Sequence, residues 1–302
     1  VLAATKDDLS GDKRKTLMMR IASGNWDAII VTHASFGKIG LSKEATEAYL
    51  DKVKGEIDAA VMDCKASAED RDSVRDIERV KKTIEAKLEG LTDRSDRDDG
   101  CLTFDKLGVD QLIVDEADLF KNLWFFTRKT RIAGINLTAS IRAFDMFLKS
   151  REVFRLRGGD TTRGLAFATA TPIANTVAEM FIMQLYLQEK ALAERGISRF
   201  DAWAANFGRE VTSIEVAPDG SGYRMHTRFC KFDNVPELMK VFREVAEIKT
   251  KAMLNLPIPT LAGGKHTVVS VPASDLLKDY VASLVKRAED IRNGLVEPNE
   301  DN

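Results

Sequence analysis

Gln111-Leu112-Ile113-Val114-Asp115-Glu116-Ala117-Asp118 is the stretch on which the reading of this chain turns. A short run of apolar, β-favouring residues breaks abruptly into carboxylates. The unbroken apolar character predicts a strand covered on both faces, as in a parallel sheet. In an open α/β sheet, ligands bind outside the carboxyl ends of the strands, which places Asp115 and Glu116 where chemistry is expected. A carboxylate there can reach a Mg²⁺ that also meets nucleotide phosphates, and its neighbour can orient water for in-line attack. The same letters suit an acidic helix start, where Asp and Glu meet the positive end of the dipole. The segment by itself leaves both readings open.

Working outward, two more apolar runs end in polar clusters. Ala28 to Thr32 leads into His33-Ala34-Ser35-Phe36, and Leu165 to Ala168 leads into Thr169-Ala170-Thr171-Pro172. A helix from about Asp12 to Ala22, closed by Gly24, is expected before the first strand. Thr138 to Phe154 reads as a helix with Ile141, Phe144, Phe147 and Leu148 on one face, ended by Gly158-Gly159.

Three clusters in this order carry a family resemblance. Val114 to Asn122, reading VDEADLFKN, resembles the Walker B segment of superfamily-two helicases, closest to the DEAH-x-x-KN pattern of Swi/Snf-type DNA translocases. Phe167 to Asn175, reading FATATPIAN, resembles their third motif, a strand followed by TGTP-I-x-N. Ile30 to Phe36 resembles the upstream strand-end motif of the same lobe. More narrowly, the segment resembles the helicase part of phage- and plasmid-borne proteins that fuse it to an adenine-specific DNA methylase. The resemblance implies an α/β, RecA-like P-loop motor lobe, with ATP and Mg²⁺ as cofactors and double-stranded DNA as the track. Asp115 would hold Mg²⁺ through water and Glu116 would be the catalytic base. Thr169, Thr171 and Asn175 would form the coupling motif. Thr32, Ser35, Lys121 and Asn122 would face the DNA backbone or the interlobe surface; for Thr32 and Ser35, simple strand-end capping is an equal alternative.

The departures from that pattern are specific. Asp118 stands where the translocases usually have His, spelling the box of RNA helicases, although those continue with Ser-Ala-Thr at the third motif. Ala170 replaces Gly. The interval from Asp115 to Thr169 is long for the family, so an extra helix or loop is expected there. No G-x-x-x-x-G-K-[ST] phosphate loop occurs: Gly37-Lys38 and Gly264-Lys265 lack its spacing and its hydroxyl. The lobe is therefore expected to be incomplete, with a phosphate-loop segment upstream and the rest of a second RecA-like lobe downstream. A start at Val1 and a polar finish, Glu297 to Asn302, fit a piece of something longer.

Composition narrows the classes. The 302 residues are 44% apolar and 30% charged, which excludes disordered and fibrous proteins. Lys and Arg number 45 against 47 Asp and Glu, so a surface basic all over is excluded, though a local basic groove is not. No run is long and apolar enough for a membrane span, and a secretory signal segment is not expected. Cys64, Cys101 and Cys230 are odd in number and far apart, without disulfide or zinc spacing; they fit a reducing cytoplasm. His33, His226 and His266 are equally scattered.

The organisation follows. Residues 1–175 are expected to form most of the first lobe. Residues 43–100 interrupt it, with 12 Lys and Arg against 17 Asp and Glu, a balance of −5 that disfavours a nucleic-acid arm. Apolar residues at helical spacing (Leu50, Val53, Ile57 and Val61, then Ile77, Val80, Ile84, Leu88 and Leu91) predict a charged helical hairpin broken at Ser67-Ala68-Glu69-Asp70. It is expected to pack on itself as an insertion. Residues 176–260 are expected to be a helical subdomain with a β-hairpin turning at Pro218 to Gly222, and Leu256 to Pro259 a linker. Residues 261–302, with a strand at Thr267 to Val271 and a helix from Asp275 to Arg292, would begin the second lobe. Arg128-Lys129-Thr130-Arg131 is a basic cluster, read as a solvated loop ahead of a phosphate contact. Trp124, Phe125 and Phe126 have the chemistry to stack bases but fit core packing better, and Trp26 and Trp203 are assigned to core. Besides the motor, two readings stay open: an interaction module on an inert motor scaffold, and an RNA helicase.

Overall fold

The computed structural model describes residues 1–66, 78, 82, 86, 101–129, 132–135, 140–159, 161, 163–216, 223–254, 257, 259, 261–293 and 295. The apolar residues Ile77, Val80, Ile84, Leu88 and Leu91 of the expected second hairpin helix lie outside these, as do the break at Ser67 to Asp70, the turn at Pro218 to Gly222, Thr130 and Arg131, and Leu256 and Ile258 of the linker. Two compact units are formed, Val1–Glu210 with Phe229–Val245, and Val211–Arg228 with Ala246–Asn302. The division falls neither at 175 nor at 260.

In the first unit, β1 (Leu2–Ala3) pairs in parallel with β2 (Ile29–Ile30), Leu2 opposite Ile29. The intervening α1 (Gly11–Ser23) buries Leu17, Met18 and Ile21. Gly24 ends it because of close approach: a Cβ there would sit 2.1 Å from Trp26 Nε1, which donates to Arg20 O at 2.9 Å. Trp26 is thus a half-buried cover on the helix end, not the core residue expected.

A second parallel pair joins β3 (Leu112–Val114) to β4 (Leu165–Phe167), with Val114 opposite Phe167. The unbroken apolar run predicts cover on both faces, and the structure corrects this. Leu112 and Val114 are buried, but Ile113 is 77% exposed, and on β2 Ile30 is 60% exposed. Successive side chains on a strand point to opposite faces, so a packed layer on one side leaves the other open among the described residues.

The crossover from β3 to β4 runs through α4 (Ile141–Leu156). Ser140 caps it by accepting from Ala143 N at 3.4 Å. Gly158 and Gly159, both at positive φ, close it. The predicted start at Thr138 lies outside the described residues. Rather than presenting one apolar face, the middle of α4 is largely enclosed, burying Phe144, Leu148, Val153 and also Lys149, Arg151 and Glu152, while Ile141 at its start is exposed. Lys149 donates to Phe36 O at 2.9 Å and to Asp145 at 2.6 Å, and its ammonium lies 4.3 Å from the Phe36 ring centroid. Burial pushes its pKa down, and the Asp145 charge opposes that shift. Arg151 donates to Leu185 O at 2.5 Å and faces Glu189 at 3.2 Å.

The long helix α3 (Lys43–Ala66) also departs from expectation. Its first turns are not a separate hairpin: Thr46 and Leu50 are buried and the helix packs on α4. Ser42, just before it, donates its N–H to Asp105 at 2.9 Å. Burial pushes the Tyr49 hydroxyl up to about 12, with the Glu152 charge adding to it. Leu50→Ala should therefore destabilise the fold by about 3 kcal/mol, the scale of a buried leucine truncation, read from denaturant midpoints. A change under about 0.5 kcal/mol, typical of surface sites, would return this helix to the periphery.

The same unit holds α5 (Ala178–Glu194), α6 (Phe200–Phe207) and α7 (Val235–Phe242). Phe125, Phe181, Phe200, Trp203, Phe207 and Phe229 form an aromatic core, with ring centroids as close as 4.3 Å for Phe125 and Phe200. Within it, Trp203 Nε1 donates to Gln184 at 2.7 Å, Gln184 to Gln188 at 3.3 Å, and Gln188 to Val241 O at 3.2 Å. The expected strands around residue 218 form as β5 (Gly208–Val216) and β6 (Tyr223–Phe232), which pair.

In the second unit, α8 (Lys251–Leu254) is a single turn and α9 (Asp275–Arg292) is the expected amphipathic helix, capped by Ser274. The strand expected at Thr267 to Val271 does not form. Val268 is 87% exposed and Val269 and Val271 are each 77% exposed. A strand needs a neighbour to take its backbone hydrogen bonds, and β-branched residues do not supply one. No helix among the described residues is long and apolar enough to cross a membrane.

Candidate functional site

The three polar clusters meet. At the end of β2, Thr32 caps the short α2 (His33–Phe36): its hydroxyl accepts from Ser35 N at 3.2 Å and donates to Ser35 Oγ at 3.0 Å. Ser35 is 1% exposed, so this pair is spent on capping and Ser35 is not a surface group. The His33 ring stacks on Phe120 at 5.3 Å, joining this cluster to the next.

At the end of β3 the chain makes a strained corner. Glu116 has φ 50° and ψ 50°, a left-handed conformation that is uncommon outside glycine. The Asp115 carboxylate braces it by accepting Glu116 N at 3.0 Å. Both carboxylates are exposed. The corner opens a short 3-10 turn, Ala117–Phe120, anchored by buried Ala117 and Phe120.

The β4 end docks against that corner. Ala168 N donates to Val114 O at 2.8 Å and Ala117 N to Ala168 O at 3.0 Å. Thr169 Oγ1 donates to Asp118 Oδ1 at 3.3 Å and accepts Thr171 N at 3.1 Å. Asp118, the letter that departs from the translocase pattern, therefore ties the second cluster to the third. Thr171 and Asn175 are exposed and Thr169 is half-buried.

A family model described as a probable helicase domain matches residues 1–250. The chain belongs to the helicase-domain family. No curated protein and no solved structure matches it.

Not every candidate of the helicase domain lies where the sequence puts it. Lys121 is buried and faces Glu179 at 3.6 Å, so its ammonium is not on a nucleic-acid surface. Asn122 is exposed, and its carbonyl accepts Ser140 N at 3.1 Å. Lys129 pairs with Glu210, and Arg128 N donates to Asp201 at 3.0 Å, which makes this a structural loop. Phe125 is core, whereas Trp124 and Phe126 are half-buried in the wall of a cavity of about 490 Å³ that also borders Tyr49, Phe147 and Arg151.

Sequence reasoning misses Glu179, Asp145 and Lys149 altogether. A signal exists for Glu179, a lone charge inside the apolar run Ala178 to Met183. Lys149 carries none, because lysines on a charged helix are ordinarily solvated.

No group of three or more metal-binding side chains occurs among the described residues. Magnesium does not require one, since it keeps several waters and takes one or two carboxylates. The exposed Asp115 carboxylate, with one oxygen engaged by an N–H, retains acceptor capacity for such an ion.

Proposed function

We propose that this helicase domain is part of an ATP-driven DNA translocase of the superfamily-two, Swi/Snf-like type. The observation that carries the reading is the Asp118–Thr169 hydrogen bond, which connects the strand-end carboxylates to the segment ending in exposed Thr171 and Asn175. Such a link is what a motor needs. Glu116 would polarise and orient the attacking water, and Asp115 would hold Mg²⁺ through water. The ion, when bound, neutralises charge on the phosphates. Thr171, Asn175 and Asn122 are exposed polar groups that follow these strand ends in sequence and are proposed to meet the nucleic-acid backbone, whereas Thr32 is engaged in capping. Contacts of that kind position a protein without reading bases. A RecA-like lobe completed by a phosphate-loop segment and a second lobe, a cytoplasmic setting, and a fused or associated DNA methylase belong to the same proposal and rest on the motif resemblance.

The test is ATP turnover by the full protein that carries this chain, with duplex DNA or RNA as activator. Stimulation by DNA supports the proposal. Stimulation by RNA alone would move it to the RNA helicases, in keeping with Asp118, and no stimulated turnover at all would leave an interaction module on an inert scaffold.

The 302 residues by themselves have no phosphate-loop lysine or N–H cradle. They are expected to bind ATP weakly and not to hydrolyse it. Robust DNA-stimulated hydrolysis by this chain alone would overturn the need for a missing segment.

A further inference from the structure

Glu179 sits in the first turn of α5 and is only 3% exposed. Its Oε2 accepts the backbone N–H of Ala174 at 2.6 Å and of Asn175 at 3.1 Å, and lies 3.6 Å from Lys121 Nζ. A buried carboxylate is costly unless it is paired and hydrogen-bonded. Here one oxygen gathers a cation and two amides.

Those partners come from two different segments. Lys121 closes the 3-10 turn that begins at the Glu116 corner. Ala174 and Asn175 end the segment that begins at Thr169. Asp118 and Thr169 already join the same two segments at their other ends. A single hydrogen bond leaves a loop free to pivot; a second attachment at the far end removes that freedom.

We propose that Glu179 is a positioning residue that makes the Thr171–Asn175 loop move with the carboxylate corner. The nucleotide state at Asp115 and Glu116 thereby reaches the nucleic-acid-facing loop along two tethers. This rests on the function proposed above. Glu179 does not touch the reacting groups; it acts through Lys121 and the two loop amides. Its charge matters because a neutral acceptor would hold the amides but not the ammonium.

Glu179→Gln separates these roles, keeping an oxygen for the amides and removing the charge opposite Lys121. In the full protein carrying this chain, basal ATP hydrolysis and the KM for ATP are expected to stay within about twofold, the scatter of small surface effects. The DNA-stimulated increment is expected to fall about tenfold, the lower part of the range for coupling between sites. Adding Lys121→Met to Glu179→Gln should cost the increment nothing more, because partners in one interaction are not additive. Basal and stimulated rates falling in parallel, an increment left intact, or losses that multiply in the double variant would each overturn the proposal. An unsubstituted protein that shows no stimulated hydrolysis would sink the function reading first, and that failure is visible before any variant is made.

Discussion

Glu116→Gln is expected to slow ATP hydrolysis by the full protein about 10²-fold or more, the scale of lost general-base catalysis. Glutamine keeps the shape of the side chain and removes its basicity. The corner itself should survive, since the Asp115 carboxylate still accepts the residue 116 N–H and the backbone is unchanged. ATP and DNA binding should therefore persist. Asp115→Asn should behave differently, weakening Mg²⁺-dependent ATP binding before it affects the chemical step. Single-turnover rates and equilibrium nucleotide binding on the two variants separate these outcomes. If Glu116→Gln turned over at the parental rate, the Asp-Glu pair would be a strand-end cap and the motor reading would fail. The left-handed backbone at Glu116 sharpens the contrast. Residues held in sparsely populated conformations cost of order 1–3 kcal/mol and cluster at functional sites, and glycine would fit this corner with less strain.

The second large effect is on stability. Trp203→Ala should cost about 4 kcal/mol, the scale of truncating a buried aromatic, and unfolding by urea or heat would show it. Trp203 is fully buried and packs against Phe181, Phe200 and Phe207. Its loss also leaves Gln184 without the indole donor, an added penalty of about 1–3 kcal/mol for a buried polar group. Trp203→Phe should be milder, because it keeps most of the packing and loses the hydrogen bond. Equal losses in the two variants would mean that the hydrogen bond, not the ring volume, carries the effect. A loss under about 0.5 kcal/mol for alanine, the surface scale, would place Trp203 outside the core.

Local sequence carries the parts of this fold whose cause is local. Gly24 and Gly158-Gly159 mark helix ends where the structure has them, because caps and breakers act over a few bonds. The apolar runs at Ile29, Leu112 and Leu165 mark strands for the same reason. Val268 to Val271 misleads because strand formation depends on a distant partner that β-propensity does not encode. Leu50 misleads in the opposite sense: half-charged surroundings suggest an insertion, yet its side chain is buried and its helix packs on α4.

The chemistry divides along the same line. Sequence alone determined the membership of the strand-end triad Asp115-Glu116, Thr169-Thr171 and Thr32-Ser35, since spacing and residue type are written along the chain. Only the tertiary structure decided which of these groups face solvent and which are consumed. Thr32 is spent on Ser35, Lys121 is buried against Glu179, and Asp118 is committed to Thr169. Those outcomes depend on contacts between residues three to nearly sixty positions apart, and on the cost of leaving a buried polar group unpaired. That cost is settled by what packs around each group in three dimensions, which no local pattern records.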